Sequence, residues 1–231
     1  MSLIDQYLIN KQRTPKPRFP GVLYVTDIVK PCQLQAYHNI LTPTSYEVET
    51  LRIFEAGNMI EDYWVGLLDK RLDVTVLGTQ VPTYYYGDGF EVHGRLDILC
   101  QHDKQQLVAH EVKSAKSSHW YKSARDGHIE QVQFYMNVLG VKWGRIDYLD
   151  KGAFLEGENP IDSFFDIQAN PAVFSWLVAR AGRLDAALKS GDPPTANPDA
   201  WSGRICDYCT FHDVCPAKVK SEAGDDPPKV L

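Results

Sequence analysis

The stretch HGRLDILCQHDKQQLVAHEVKSAK, His93 to Lys116, carries two acids and a lysine that sheet building alone does not ask for. It reads as two strands around a polar turn, with Asp97 in the first and Glu111 and Lys113 two apart in the second. Strand side chains alternate faces, so Glu111 and Lys113 point the same way. With the hairpin centred near Lys104, Asp97 lies opposite Glu111 and all three share one patch. Leu96, Ile98, Cys100, Val108 and Val112 then take the other face as core. Two facing carboxylates repel unless a cation sits between them. Hard oxygen ligands suit Mg²⁺ or Mn²⁺, which keep several waters and complete their shell with substrate phosphate. A lysine beside such an ion can orient the attacking water and stabilise charge on phosphorus. The plain alternative is a solvated hairpin face with an incidental ion pair.

Two features flank the hairpin. A helical pattern runs from Tyr46 to about Arg71, with Phe54, Gly57, Glu61, Trp64 and Leu68 on one face. Glu61 falls inside that apolar stripe, where an unpartnered carboxylate is expensive. A third ligand for the same ion accounts for it, and a boundary residue whose head group reaches water is the simpler account. After the hairpin, QVQFY places Gln131 and Tyr135 four apart on one helix face. An amide and a phenol so placed can hydrogen-bond a nucleotide or hold a catalytic side chain, or simply form a helix surface.

Taken together, GRLD, EVK and QVQFY, preceded by a helix carrying GNMIE, resemble the PD-(D/E)xK nuclease superfamily in its RecB-like branch. The resemblance implies a restriction-endonuclease-like α/β core, a central mixed β-sheet flanked by helices. It implies Glu61, Asp97, Glu111 and the Val112 backbone carbonyl as metal ligands and Lys113 as the catalytic lysine. Gln131 and Tyr135 match the branch's Q-x-x-x-Y motif. Many members carry histidine where this chain has Glu61. Glutamate is also a competent ligand, so the departure bears on metal preference more than on activity.

Five cysteines are present. Cys100 falls on the core side of its strand and reads as a buried thiol. Cys206, Cys209 and Cys215 form C-x2-C-x5-C, with Cys32 far upstream. Four thiolates can hold an iron–sulfur cluster or a zinc ion. His212 lies within CDYCTFHDVC, so a zinc site without Cys32 is also open. A disulfide fits poorly with a reducing compartment. The resemblance favours a 4Fe-4S cluster, because RecB-like nucleases of this kind carry one cysteine near the N-terminus and three after the nuclease core. Over Tyr24 to Pro216 the layout is most similar to the CRISPR-associated RecB-like exonucleases, the fourth Cas family. That likeness implies exonucleolytic hydrolysis of single-stranded DNA and trimming of DNA before its capture as new spacers. Integration proteins of a CRISPR system and further copies of the chain are partners it allows; a phage or repair nuclease and a non-catalytic DNA-binding module are the rivals.

The chain must position these groups with 231 residues, 44% of them hydrophobic, enough for a sizeable core. A formal net charge of −6 argues against blanket attraction to nucleic acid, so binding would need a local basic groove or a metal ion. KSAKSSHWYKSARDGH offers such a groove, with Lys116, His119, Trp120, Tyr121, Lys122 and Arg125 mixing cations and aromatics. No apolar run is long enough to span a bilayer, and the N-terminus lacks the order of a signal peptide. A cytoplasmic protein is expected.

The expected organisation is an arm over 1–20, a helical cluster region built from 21–45 and 192–218, a nuclease core over 46–191 and a disordered tail over 219–231. Helix is expected on both sides of Pro31, opening with a cap at Thr26 or Asp27. Strands are expected from VTVLGTQ onward, broken at Gly78 and at YGDG. A helix from about Asp126 stops at Gly140, WGRIDYLDKG returns as a strand, and a helix follows Pro171 and ends before Gly191.

Overall fold

A computed structural model describes residues 2–12, 18, 20–102, 105–115, 122–151, 161–197, 205–212 and 215. Its elements, in chain order, are α1 (Leu3–Lys11), β1 (Val22–Tyr24), α2 (Val25–Ile28), α3 (Gln33–Leu41), α4 (Val48–Leu68), β2 (Val74–Tyr86) and β3 (Glu91–His102). They continue with β4 (Gln106–Ala115), α5 (Asp126–Leu139), β5 (Trp143–Asp150), β6 (Ile161–Gln168) and α6 (Pro171–Ser190), then a 3₁₀ turn at Ile205–Tyr208. The strands form a six-stranded mixed sheet ordered β1-β3-β4-β5-β6, with β2 paired to β3. Pairs β1–β3 and β4–β5 are parallel; β3–β4 and β5–β6 are antiparallel. This is the helix-flanked mixed sheet that the motifs imply. No helix among the described residues is long and apolar enough to cross a membrane.

The chain divides into two compact units. The first comprises residues 1–15, 45–83 and 95–169. Its β4 is buried at four successive positions, Val108 to Glu111, as expected of a strand covered on both faces. One covering layer is the C-terminal half of α4, where Trp64 and Leu68 pack on Val74, Ile98, Cys100 and Leu149. The N-terminal half of the expected stripe is not covered: Phe54 remains exposed. Helix α5 packs on β4, β5 and β6, buried from Val132 through Met136, and ends on Gly140 at φ 67°.

Close approach of α5 to β5 requires Gly144. A Cβ there would lie 2.5 Å from Val132 Cγ1, 2.8 Å from Met136 Sδ and 3.3 Å from the Ala109 carbonyl. Gly144→Ala is therefore expected to destabilise the protein by about 1–3 kcal/mol through overpacking. Equilibrium urea unfolding reads this directly, and an unchanged midpoint would show that α5 is free to move outward.

Three local outcomes differ from the sequence reading. Residues 3–11, within the expected arm, form α1. Ser2 and Asp5 make a reciprocal capping box, and Asp5 accepts from Arg52 of α4 at 2.6 Å, a tertiary tie that local pattern does not reveal. Strand β2 runs unbroken through Gly78 and Pro82; among the described residues it pairs only with β3, so proline's missing N–H costs no second ladder. The irregularity instead falls at Gln80, with φ 50°. Strand β6 was not anticipated, because its apolar residues do not alternate cleanly. Phe164 points outward beneath the Arg145 guanidinium, 4.4 Å from the ring centroid, while Arg145 pairs with Asp166 across the ladder at 2.7 Å.

The second unit comprises residues 16–44, 84–94 and 170–231. Helix α2 opens one or two residues before the expected cap. Asp27 acts from inside its first turn, accepting from the Tyr24 amide at 2.7 Å and from both Arg18 terminal nitrogens. Helix α6 begins as expected, with Asn170 capping the Ala172 amide at 2.9 Å and Pro171 in the first turn, and ends on Gly191 at φ 80°. It belongs to this unit rather than to the sheet-centred one. Its buried Arg180 donates to the Lys30 carbonyl and, at 3.2 Å, to the Pro31 carbonyl. That clamp fixes the backbone immediately before Cys32.

Candidate active site and cysteine cavity

In the hairpin, Ile98 pairs with His110, which sets Asp97 across from Glu111. The Val112 amide donates to Asp97 Oδ2 at 2.8 Å, fixing that carboxylate against β4. Glu111 is fully buried. Its Oε1 accepts from Lys113 Nζ at 2.5 Å, and its Oε2 has no hydrogen-bond partner among the described residues. A buried anionic oxygen left unmet carries its whole desolvation cost.

The electrostatics point the same way. Burial pushes Glu111 up to about 8; Lys113 opposes the rise and Asp97 and Glu61 add to it. Burial also raises Asp97, against the pull of Lys113 and the Val112 amide. Glu61 is raised by burial and by the Asp97 charge, while the Gln80 side chain donates to it. Burial alone would lower Lys113, but the Glu111 and Asp97 carboxylates outweigh it and hold the ammonium above its usual range. In all three acids the charged form is thus disfavoured, the condition a divalent cation relieves.

Among the described residues, no three His, Cys, Asp or Glu side chains are gathered closely enough to hold an ion by themselves. Mg²⁺ and Mn²⁺ sites do not require a closed protein cage; one or two carboxylates, waters and substrate phosphate suffice. The unmet Glu111 oxygen and the neighbouring Asp97 fit that requirement. Glu61, held to Gln80 and feeling the Asp97 charge, is the third candidate contributor.

Gln131 Nε2 donates to the Tyr135 hydroxyl at 3.1 Å, so the pair expected to share a helix face does meet. Tyr135 is buried, and burial with the nearby Glu111 charge drives its phenol well above the usual range, keeping it neutral. Lys122 and Arg125 are exposed, while Lys116, His119, Trp120 and Tyr121 lie outside the described residues.

Sequence reasoning missed several polar groups in this unit. Tyr148, the β5 partner of Lys113 in register, meets His128 Nδ1 at 2.7 Å and accepts from the Arg125 amide at 3.1 Å. Burial, with Lys113 and Arg125 nearby, pushes His128 down to about 3, so it stays neutral. Its place three residues before Gln131 on α5 was the available signal. The buried pair His110 and Asp147 was also missed, because a buried histidine in an apolar strand has no local signature.

In the second unit, Cys32, Cys206, Cys209 and Cys215 line a single cavity of about 140 Å³ with His38, Phe211 and His212. All five cysteines are free thiols. Successive turns bring the C-terminal three together: the Cys209 amide donates to the Cys206 carbonyl at 3.2 Å, and the Cys215 amide to the His212 carbonyl at 3.4 Å. Burial raises the Cys206 thiol, and the nearby sulfurs of Cys209, Cys215 and Cys32 add to the rise. Thiols are the donor type of a soft, thiolate-held centre, but among the described residues no three of them are gathered closely enough to hold one as they stand. Cys100 stands apart, fully buried, its thiol pushed up to about 12 by burial and the Asp147 charge, and so inert.

A sequence model described as the PD-(D/E)XK nuclease superfamily matches residues 32–216. No curated protein matches the chain. Among solved structures, that of SSO0001 is similar with a TM-score of 0.61 and 19% identity, covering 94% of this chain and 96% of that one. LHK-Exo from Laribacter hongkongensis, crystallised with dAMP, gives 0.50 and 13%, over 74% and 90% of the two chains. A phage related exonuclease from Haemophilus somnus 129PT gives 0.50 and 12%, over 79% and 97%. At these identities the likeness is one of fold.

Proposed function

The chain belongs to the PD-(D/E)XK nuclease superfamily, and from that premise we propose that it is a metal-dependent DNA exonuclease preferring single strands. One observation carries the reading: Glu111, fully buried, presents an oxygen with no partner among the described residues, beside Lys113 and opposite Asp97. Asp97 and Glu111, with Glu61 and the Val112 carbonyl, would hold Mg²⁺ or Mn²⁺. Such an ion, when bound, polarises the phosphoryl oxygens and acidifies water. Lys113, fixed by Glu111 Oε1, orients the attacking water and shares charge developing on phosphorus. Tyr135, neutral and paired with Gln131, offers a hydrogen-bond donor beside the carboxylates. LHK-Exo, which shares the fold, takes dAMP, a mononucleotide of the kind exonucleolytic cleavage of DNA releases.

The four cysteines around one cavity support a 4Fe-4S cluster; His212 on the same wall supports zinc as the second reading. The resemblance to the fourth Cas family supports a role in trimming DNA for spacer capture alongside integration proteins. A phage or repair role is the rival, and neighbouring genes would separate the two.

The activity is tested with end-labelled single- and double-stranded oligonucleotides in Mn²⁺, Mg²⁺ or EDTA. Progressive shortening of the single strand in Mn²⁺, and none in EDTA, is the expected result. Binding without cleavage in every metal would make the chain a DNA-binding module instead.

A further inference from the structure

On the sheet face opposite to Glu111, a second carboxylate is buried. Asp147 of β5 is 1% exposed and takes two donors on the same oxygen, Oδ2. One is the Trp64 indole N–H of α4 at 3.3 Å, and the other is His110 Nδ1 of β4 at 2.9 Å. A carboxylate only accepts, so His110 donates from Nδ1, and its Nε2 meets His102 Nε2 at 3.0 Å. The imidazole centroids are 5.3 Å apart, so the rings present these nitrogens almost directly to one another.

The surroundings make this arrangement costly. Trp64 packs among Leu68, Val74, Ile98, Cys100 and Leu149, where an apolar side chain would fill the place of Asp147 at less desolvation cost. What the carboxylate adds is direction. Packing lets a helix rotate or slide by fractions of a turn, whereas an indole hydrogen bond fixes both. Trp64 lies one turn after Glu61 on α4, and His110 immediately precedes Glu111 on β4. We propose that Asp147 is a positioning residue for the metal site, holding the α4 turn that carries Glu61 against the β4 segment that carries Glu111. The proposal rests on the metal reading above.

The test uses the full chain and reads Mn²⁺ binding by calorimetry without DNA, cleavage against Mn²⁺ concentration, and melting in chelator. Trp64→Phe keeps an aromatic side chain but removes the donor together with part of the ring, and melting in chelator reads the packing loss separately from Mn²⁺ affinity. It is expected to weaken Mn²⁺ binding about ten-fold, as losses behind a metal's ligands do, with cleavage returning toward the parent rate at saturating Mn²⁺. Asp147→Asn is expected to weaken binding at least as much, and the double variant no more than Asp147→Asn alone, because both act through one oxygen. Parent-like Mn²⁺ affinity in Trp64→Phe overturns the proposal, whether or not Asp147→Asn folds. A parent chain that takes up no Mn²⁺ overturns the metal reading itself and the proposal with it.

Discussion

Lys113→Met is expected to leave a folded protein that binds DNA but cleaves it in Mn²⁺ more slowly by on the order of 10³, about 4 kcal/mol of transition-state stabilisation. Glu111→Gln gives a loss of the same order, because the amide cannot supply the charge that Oε2 presents. Single-turnover rates with saturating DNA separate this from weakened binding. The Gln variant carries a second signature. Burial holds Glu111 up at about 8, above its ordinary value. A raised carboxyl stabilises the fold fully below the unfolded pKa, and that contribution is lost as pH rises through the folded one. In chelator above pH 8, Glu111→Gln is therefore expected to melt no lower than the parent, despite losing activity. A variant that loses activity while gaining stability marks a site whose charge is kept for chemistry. Parent-like cleavage by both variants would reject the catalytic assignment.

How much of this was legible depends on how local each signal was. The hairpin was, because period-2 alternation through Leu96–Cys100 and Val108–Val112 fixes both register and face, and Asp97 met Glu111 as the count required. Gln131 and Tyr135 were, because i, i+4 spacing brings side chains together on any helix. Glu61 was legible only in part: its stripe is covered at Trp64 and Leu68 but not at Phe54, and Gln80, nineteen residues on, is what holds it. The Trp64–Asp147–His110 contacts were not legible at all. They join three elements distant in sequence, and each residue taken alone reads as ordinary strand or helix. The same holds for α1, whose tie to Arg52 spans 47 positions. The cysteine spacing was legible as a soft-metal pattern, yet only the fold brings Cys32 to the same cavity as Cys206, Cys209 and Cys215.

That cavity sets the second large effect. Cys32 holds the N-cap position of α3, directly after the Lys30 and Pro31 carbonyls clamped by Arg180, so its sulfur is placed by backbone already fixed from α6. The other three sulfurs come from turns more than 170 residues further along the chain. A centre bonded to all four would act as a cross-link over that loop, which by chain entropy is worth about 5 kcal/mol. For a protein of this length the loss lowers melting by about 10–20 °C. Cys32→Ser is therefore expected to lose bound iron, sulfide and brown colour together, and to melt lower by that amount. His212→Ala is expected to keep all three, because a centre held by four thiolates needs no imidazole. The two substitutions oppose the two centres. A colourless parent with stoichiometric zinc, indifferent to Cys32→Ser and emptied by His212→Ala, would replace the cluster with a zinc site confined to Cys206–Cys215. In that case Cys32 would be only a buried thiol, and the cross-link between chain ends would not exist.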